Sequence, residues 1–274
     1  MTDSTIDFAT GAPAAGSLDV SWIHGAPARR RPSDPPIQVH RYDEHTVILR
    51  QSKSVHYEAP FLYLLFGNDR ALLLDTGATA DPEKFPLRAT IDQLVGEWLT
   101  RHPREAYELV VAHTHGHGDR GRVLGVTGSP GHHRAAITVY DPWTGFLLTG
   151  DTVYPGRLYV SDFPQFLASL DRMTALADSH AVTHVLGCHI EMTRRPGRDY
   201  PIGSTYQPDE PPLEMTAAQL GEIRAAAASV ASKRGVHRFD DFIIYNEPRV
   251  RHQLGLMGRG LLHKAYLAVT PGSR

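Results

Sequence analysis

The run His113-Thr114-His115-Gly116-His117-Gly118-Asp119-Arg120 follows the apolar stretch Leu109-Val110-Val111-Ala112 without a spacer, and no other feature of the chain restricts its fold so tightly. Neutral imidazole and carboxylate are preferred zinc ligands. In extended backbone, residues two apart project to the same side, so His115 and His117 can converge on one ion while Asp119 reaches a second ion or orients a water. With 16 histidines in 274 residues, such a cluster could also be a solvated loop. Metal binding therefore requires further ligands downstream, delivered by a scaffold.

Those ligands occur in a regular setting. His132 closes Ser129-Pro130-Gly131-His132 after a glycine-rich stretch, Asp151 follows the apolar run Phe146-Leu147-Leu148 within Thr149-Gly150-Asp151-Thr152, and His189 follows Val185-Leu186-Gly187-Cys188. Each stands where a buried strand gives way to a loop. Only aligned strands bring the ends of distant segments to one point, and scattered surface histidines would not show this placement.

At these positions the chain resembles the metallo-β-lactamase superfamily of metal-dependent hydrolases. Its motif T-H-x-H-x-D-H is matched by Thr114-His115-Gly116-His117-Gly118-Asp119-Arg120, its P-G-H by Pro130-Gly131-His132, and its G-D by Gly150-Asp151. The final G-x-H is matched by Gly187-Cys188-His189, and the early strand-D-T-G by Leu72-Leu73-Leu74-Asp75-Thr76-Gly77. The resemblance covers residues 37 to 190 in the family's order. It implies a four-layer αββα sandwich with His115, His117 and His132 on a first metal and Asp119, Asp151 and His189 on a second. The position of Asp119, four residues after the first ligand, selects His115 over His113.

One position departs from the pattern. Arg120 stands where most members place a histidine, and a guanidinium cannot ligate a cation. The second site is expected to be weaker or differently filled than the first. The resemblance implies two zinc ions, with iron or manganese as alternatives.

It also implies hydrolysis of a small ester, lactone, thioester or related acyl substrate by a metal-bound hydroxide, since a three-ligand zinc lowers the pKa of its water to about 7. Asp119 can hold the water and carry its proton. Tyr154, three residues after Asp151, matches a tyrosine that lactonases of the superfamily use to donate a hydrogen bond to the substrate carbonyl. His56 and Tyr57 fall in a loop that overhangs the cleft in relatives, where they are candidate substrate contacts, and Glu191 is a candidate to orient a ligand. Cys188 reads as a small buried hydrophobe, and Asp75 as a tie beneath the metals. Two other readings stay open: an iron sulfur dioxygenase of the same fold, using His115, His132 and Asp151, and a non-catalytic metal-binding protein.

Composition narrows the partners. A net charge of −2 gives no electrostatic case for nucleic acid, and Arg29-Arg30-Arg31 is the only basic run. The single cysteine excludes an internal disulfide. The start Met1-Thr2-Asp3-Ser4 lacks a basic and apolar leader, and no stretch of about 18 apolar residues occurs, so a cytoplasmic protein off the membrane is expected. A small-molecule substrate is the expected partner; a homodimer stays open.

Residues 1–36, rich in Pro, Gly, Ala and Ser, read as an extended arm in which Trp22 and Ile23 dock, and 37–274 read as the domain. Strands are expected at 37–42, 46–51, 60–66, 70–75, 108–112, 122–126, 136–140, 145–149 and 183–187. Helical spacing of Leu87, Ile91, Leu94, Val95, Trp98 and Leu99 marks one helix, and a second, capped by Asp162, carries Phe163, Phe166, Leu167, Leu170 and Met173. Residues 194–213 hold five prolines and read as a loop near the metal cleft. Thr216 and Gln219 form a capping box for a helix to about Arg234 closed by Gly235, followed by a strand at 242–245 and a glycine-rich tail.

Overall fold

The computed structural model describes residues 5–27, 33–114, 126–248 and 250–269. The central strands of its first sheet are buried on both faces. Strands β1 (Ile37–Arg41), β2 (Thr46–Gln51), β3 (Phe61–Phe66), β4 (Arg70–Leu74) and β5 (Glu108–Ala112) pair in that order. All neighbours are antiparallel except β4 and β5, which the crossover helix α1 (Leu87–Arg101) makes parallel. Because side chains alternate along a strand, Val47, Leu49, Leu62, Leu64 and Leu73 share the face that packs on Ile91, Leu94 and Trp98 of α1. Ile48, Phe61, Tyr63 and Leu74 occupy the other face. There they meet Val139, Phe146, Leu148 and Leu186 from a second sheet.

That sheet has the order β11-β10-β8-β7-β6, built from β6 (Val126–Gly128), β7 (Ile137–Asp141), β8 (Phe146–Gly150), β10 (His184–Gly187) and β11 (Glu214–Met215). Helices α2 (Phe163–Ser179) and α3 (Ala217–Val230) cover its outer face, with Phe166, Leu170, Met173, Leu220 and Ile223 packed against Tyr140, Leu147 and Val185. The layers run helix, sheet, sheet, helix, as the sequence implied. Asp162 caps α2 by accepting from Gln165 N at 3.0 Å, and Thr216 with Gln219 forms the expected capping box.

Four expectations require correction or restriction. A strand β9 (Arg157–Val160), absent from the sequence reading, forms a third sheet with β12 (Gly235–Arg238) and β13 (Ile243–Asn246) in the order β12-β13-β9. Its four residues lack the length that makes an alternation legible. Helix α3 stops at Val230, not near Arg234, because Gly235 already begins β12. The glycine-rich tail is helical as α4 (Val250–Val269), and at Gly260 a Cβ would approach Ile202 to 2.8 Å. Of the strand expected at 122–126, residues 122–125 lie outside the described residues.

The arm docks through Trp22, whose ring meets Phe61 edge-on at 4.9 Å, and through Gly25, which bridges to Tyr206. Among the described residues no helix is long and apolar enough to cross a membrane.

The position of the site follows from two of the three parallel pairings among the described residues, β4 with β5 and β8 with β10. Parallel neighbours end on the same side. Asp75 after β4, Thr114 after β5, Asp151 after β8 and His189 after β10 therefore leave the sandwich at one edge.

Candidate metal centre

Asp75 ties that edge together. Its carboxylate accepts from Thr114 N at 2.9 Å, from Thr114 Oγ1 at 2.8 Å and from Cys188 Sγ at 3.2 Å, so the ends of β4, β5 and β10 meet on one buried side chain. Asp75 adopts a left-handed backbone, φ 67°, an unfavourable conformation that these bonds hold in place. Cys188 is buried, as expected, and Asp75 is the expected tie. Two motif glycines allow the loops to close in. A Cβ at Gly150, φ 54°, would meet the Thr114 side chain at 2.5 Å, and one at Gly131, φ 142°, would meet the Phe166 backbone at 2.5 Å.

Three candidate ligands converge in this frame. His132 Nε2 lies 3.7 Å from Asp151 Oδ2, and His189 Nε2 lies 3.3 Å from Asp151 Oδ1. The opposite nitrogens face backbone carbonyls: His132 Nδ1 is 2.9 Å from Tyr159 O, and His189 Nδ1 is 3.3 Å from Glu58 O. A carbonyl only accepts, so each Nδ1 carries the hydrogen and each Nε2 turns its lone pair toward the other donors, the usual support of a ligating histidine. Donors on a tetrahedral zinc with bonds of about 2.0–2.1 Å stand about 3.3–3.4 Å apart. The set fits a divalent ion. His115, His117, Asp119 and Arg120 lie outside the described residues; the structure places Thr114, immediately before them.

His132, Asp151 and His189 border a cavity of about 200 Å³. Tyr57 and Glu58 from the loop after β2, and Pro201, Gly203 and Gln207 from the proline-rich segment, complete much of its wall. Both segments expected near the cleft are there. His56 is not part of the wall; it stacks on Tyr57 with centroids 4.8 Å apart and sits 3.6 Å from Glu58.

Tyr154 lines the cavity but is buried, and its hydroxyl donates to Arg157 O at 2.5 Å, with Glu191 Oε2 at 3.2 Å. Burial pushes the phenol well above its ordinary pKa. In this arrangement its single proton serves the chain rather than a bound carbonyl. Glu191 is a structural acceptor, taking Arg157 N at 2.7 Å and Arg157 Nη2 at 2.6 Å.

The sequence reading missed Lys53 and Arg157. Arg157 is buried and also donates to Asp199 at 2.9 Å; Asp199 in turn accepts from Arg238 and Arg259. Lys53, 2% exposed, reaches the cavity from the end of β2. Neither carries a motif. The only signal for Arg157 was a charge inside an apolar segment, and Lys53 had none.

A second set of His and carboxylate groups, Glu44, His45 and His102, has ligand atoms within 4.8 Å of one another at a different place, beside α1. Its chemistry differs. Trp98 Nε1 donates to His45 Nδ1 at 3.0 Å, which leaves the hydrogen on Nε2, and burial, the largest influence, pushes the ring's pKa down and keeps it neutral. Neither nitrogen of His45 is then offered to an ion.

The architecture defines an αββα sandwich, and the placement of His132, Asp151 and His189 gives it a candidate metal-binding edge. The chain is 29% identical over 199 residues to a hydroxyacylglutathione hydrolase of Synechococcus sp. (strain JA-3-3Ab), covering 71% of this chain and 68% of that protein. It is 32% identical over 113 residues to a hydroxyacylglutathione hydrolase of Thermosynechococcus vestitus, covering 40% and 42%. Over these segments the chain is similar to hydroxyacylglutathione hydrolases. Among solved structures it is similar to the metallo-β-lactamase FIM-1 from Pseudomonas aeruginosa in its mono-zinc form, at 13% identity and a TM-score of 0.45, covering 74% of this chain and 99% of that one. No family model matches the chain.

Proposed function

We propose that the protein is a metal-dependent hydrolase of a small acyl compound, with a thioester or ester as the bond cleaved. The convergence of His132 Nε2 and His189 Nε2 on the Asp151 carboxylate, each ring anchored through Nδ1, carries this reading. The similarity to hydroxyacylglutathione hydrolases favours thioesters within the class.

His132, Asp151 and His189 would hold zinc, with His115, His117 and Asp119 the further ligands expected from the sequence. A divalent ion in this set supplies Lewis acidity and makes hydroxide available near neutral pH. The chain's own part is positional. Tyr159 O and Glu58 O fix the two rings, so donors are aimed before a cation arrives. Asp75 pins Thr114 and with it the start of the His-rich segment. Arg157 holds Glu191 beside Tyr154 in the cavity wall. The cavity of about 200 Å³ restricts what sits over the ligands to a small acyl group, below the roughly 300–1,000 Å³ common for drug-sized ligands.

Protein purified without added metal, analysed for elements and assayed on p-nitrophenyl esters, lactones and glutathione thioesters, tests the proposal. Bound zinc with turnover that persists without oxygen is the expected result. Turnover only with oxygen and iron would replace it with an oxidative reading, and metal-free protein without turnover would overturn it.

A further inference from the structure

Lys53 combines three properties that a structural lysine does not need together. It is buried, it lines the cavity that contains His132, Asp151 and His189, and its polar contacts are long. Nζ is 3.4 Å from Glu210 Oε1 and 3.5 Å from Tyr57 O, whereas an ammonium bonded firmly to a carboxylate stands at about 2.7–2.9 Å. Glu210 is already held by another cation. Arg50, equally buried, grips it with both terminal nitrogens at 2.7 Å.

The charges close around that fact. Glu210 carries one negative charge against two cations, Arg50 and Lys53, so the buried trio has one positive charge in excess. The cavity's other cation is differently placed, because Arg157 is shared between Glu191 and Asp199. Glu58 is exposed at the rim, accepting from Tyr57. Gln207, on the same wall, has a buried Oε1 without a hydrogen-bond partner, and its amide, turned over, would present NH2 instead. A buried ammonium with unspent donors beside an uncommitted amide matches an anion that accepts from both.

We propose that Lys53 is a specificity-determining residue that binds a carboxylate on the substrate, so that the enzyme acts on short acyl compounds carrying a free carboxylate at the end remote from the scissile bond. This rests on the hydrolase reading for the reaction, but the carboxylate site itself does not. The substrate spans the cavity, its acyl carbon over the His132–Asp151–His189 edge and its carboxylate at Lys53. The cavity's small volume favours a chain of a few carbons. Burial holds the ammonium down to about 8, and an incoming carboxylate would relieve that cost.

The test pairs substrates that differ at one group. p-Nitrophenyl and thiophenyl monoesters of succinate and glutarate are compared with the same esters whose remote carboxylate is a primary amide. In the native protein the carboxylate form should lead by roughly 10- to 100-fold in kcat/KM, the scale of one charge-assisted hydrogen bond, and in Lys53→Met the ratio of acid to amide ester should fall to about one. Arg50 keeps Glu210 paired in that variant, so a folded protein is expected; the native ratio decides the matter even if it fails to fold. Calorimetry adds an arm independent of turnover: glutarate should bind the native protein at least tenfold more tightly than glutaramate, and equally in the variant. Equal treatment of acid and amide by the native protein overturns the proposal. Failure to cleave any ester, with the calorimetric preference intact and dependent on Lys53, would instead sink the hydrolase reading and leave the carboxylate site standing.

Discussion

Histidines meet carboxylates in two regions of this molecule, and the two differ in where the second ring nitrogen goes. Beside Asp151, Nδ1 of both histidines faces a backbone carbonyl and Nε2 is left as a donor to a cation. Beside Glu44, an indole N–H occupies Nδ1 of His45, so the same residue type is locked as a neutral bridge in a cluster with Trp98 and His102. Proximity of potential ligands is therefore insufficient. The partner that fixes the tautomer separates a ligand from a packed ring.

Substitution in each region should break the symmetry between them. Asp151→Ala is expected to lower kcat/KM by roughly 100-fold or more and to reduce bound metal, because it removes the carboxylate on which both Nε2 atoms converge. His45→Phe should leave metal content and kcat/KM within about twofold, and lower stability by about 1–2 kcal/mol through the unpaired Trp98 N–H. Elemental analysis, steady-state kinetics and thermal melts of the two variants suffice. A loss of metal on replacing His45 would mean that the cluster beside α1 is a second ion site after all.

Lys53 extends the comparison from nitrogens to ammonium donors. Its folded pKa of about 8 lies below the ordinary 10.5, so between those values the unfolded chain binds the extra proton and stability rises with pH. Below about pH 8 both states are charged and the full burial cost is present, with Glu210 offsetting part of it and Arg50 adding to it. Lys53→Met should accordingly be more stable than the native chain at pH 7, by about 1–3 kcal/mol, with the advantage shrinking as pH approaches 10.5. Denaturant melts at pH 7 and pH 10 measure it. A variant less stable at pH 7 would show that the Glu210 attraction outweighs desolvation, and Lys53 would then be an ordinary buried pair.

Much of the fold was legible because long apolar segments carry their own period. Strands β2 and β3 lie where short runs bounded by turn signals put them and helices α1 and α2 where helical spacing did, and Asp162 and the Thr216–Gln219 pair cap as their chemistry dictates. The candidate ligands Asp151 and His189 were legible because each follows a buried strand, and His132 through the Pro130-Gly131-His132 motif after the short, largely exposed β6. What escaped was set by distant partners. β9 is a strand through pairing with β13, more than eighty residues later, and α4 is helical in spite of its glycines. Arg157 and Lys53 acquire meaning only from Asp199, Glu191 and Glu210, which the fold brings to them.

Tyr154 offers the smallest and sharpest effect, since it carries a motif-like position and a committed donor together. Its offset from Asp151 suggested a hydrogen bond to the substrate carbonyl, and that role would make Tyr154→Phe slower by roughly 10- to 1,000-fold in kcat. The geometry argues otherwise. A phenol has one proton; here it goes to Arg157 O at 2.5 Å, in a buried pocket where breaking that bond would strand the carbonyl. Phe keeps the ring that meets His189 edge-on, with centroids 5.7 Å apart, and forfeits only this internal bond. The expected outcome is a change in kcat of less than about threefold with unchanged metal content, and a stability loss of about 1 kcal/mol. If kcat falls by tenfold or more while the melt is unaltered, the hydroxyl must leave Arg157 when substrate binds, and the rule drawn from His45, that a committed donor is lost to chemistry, would fail at the next residue tested.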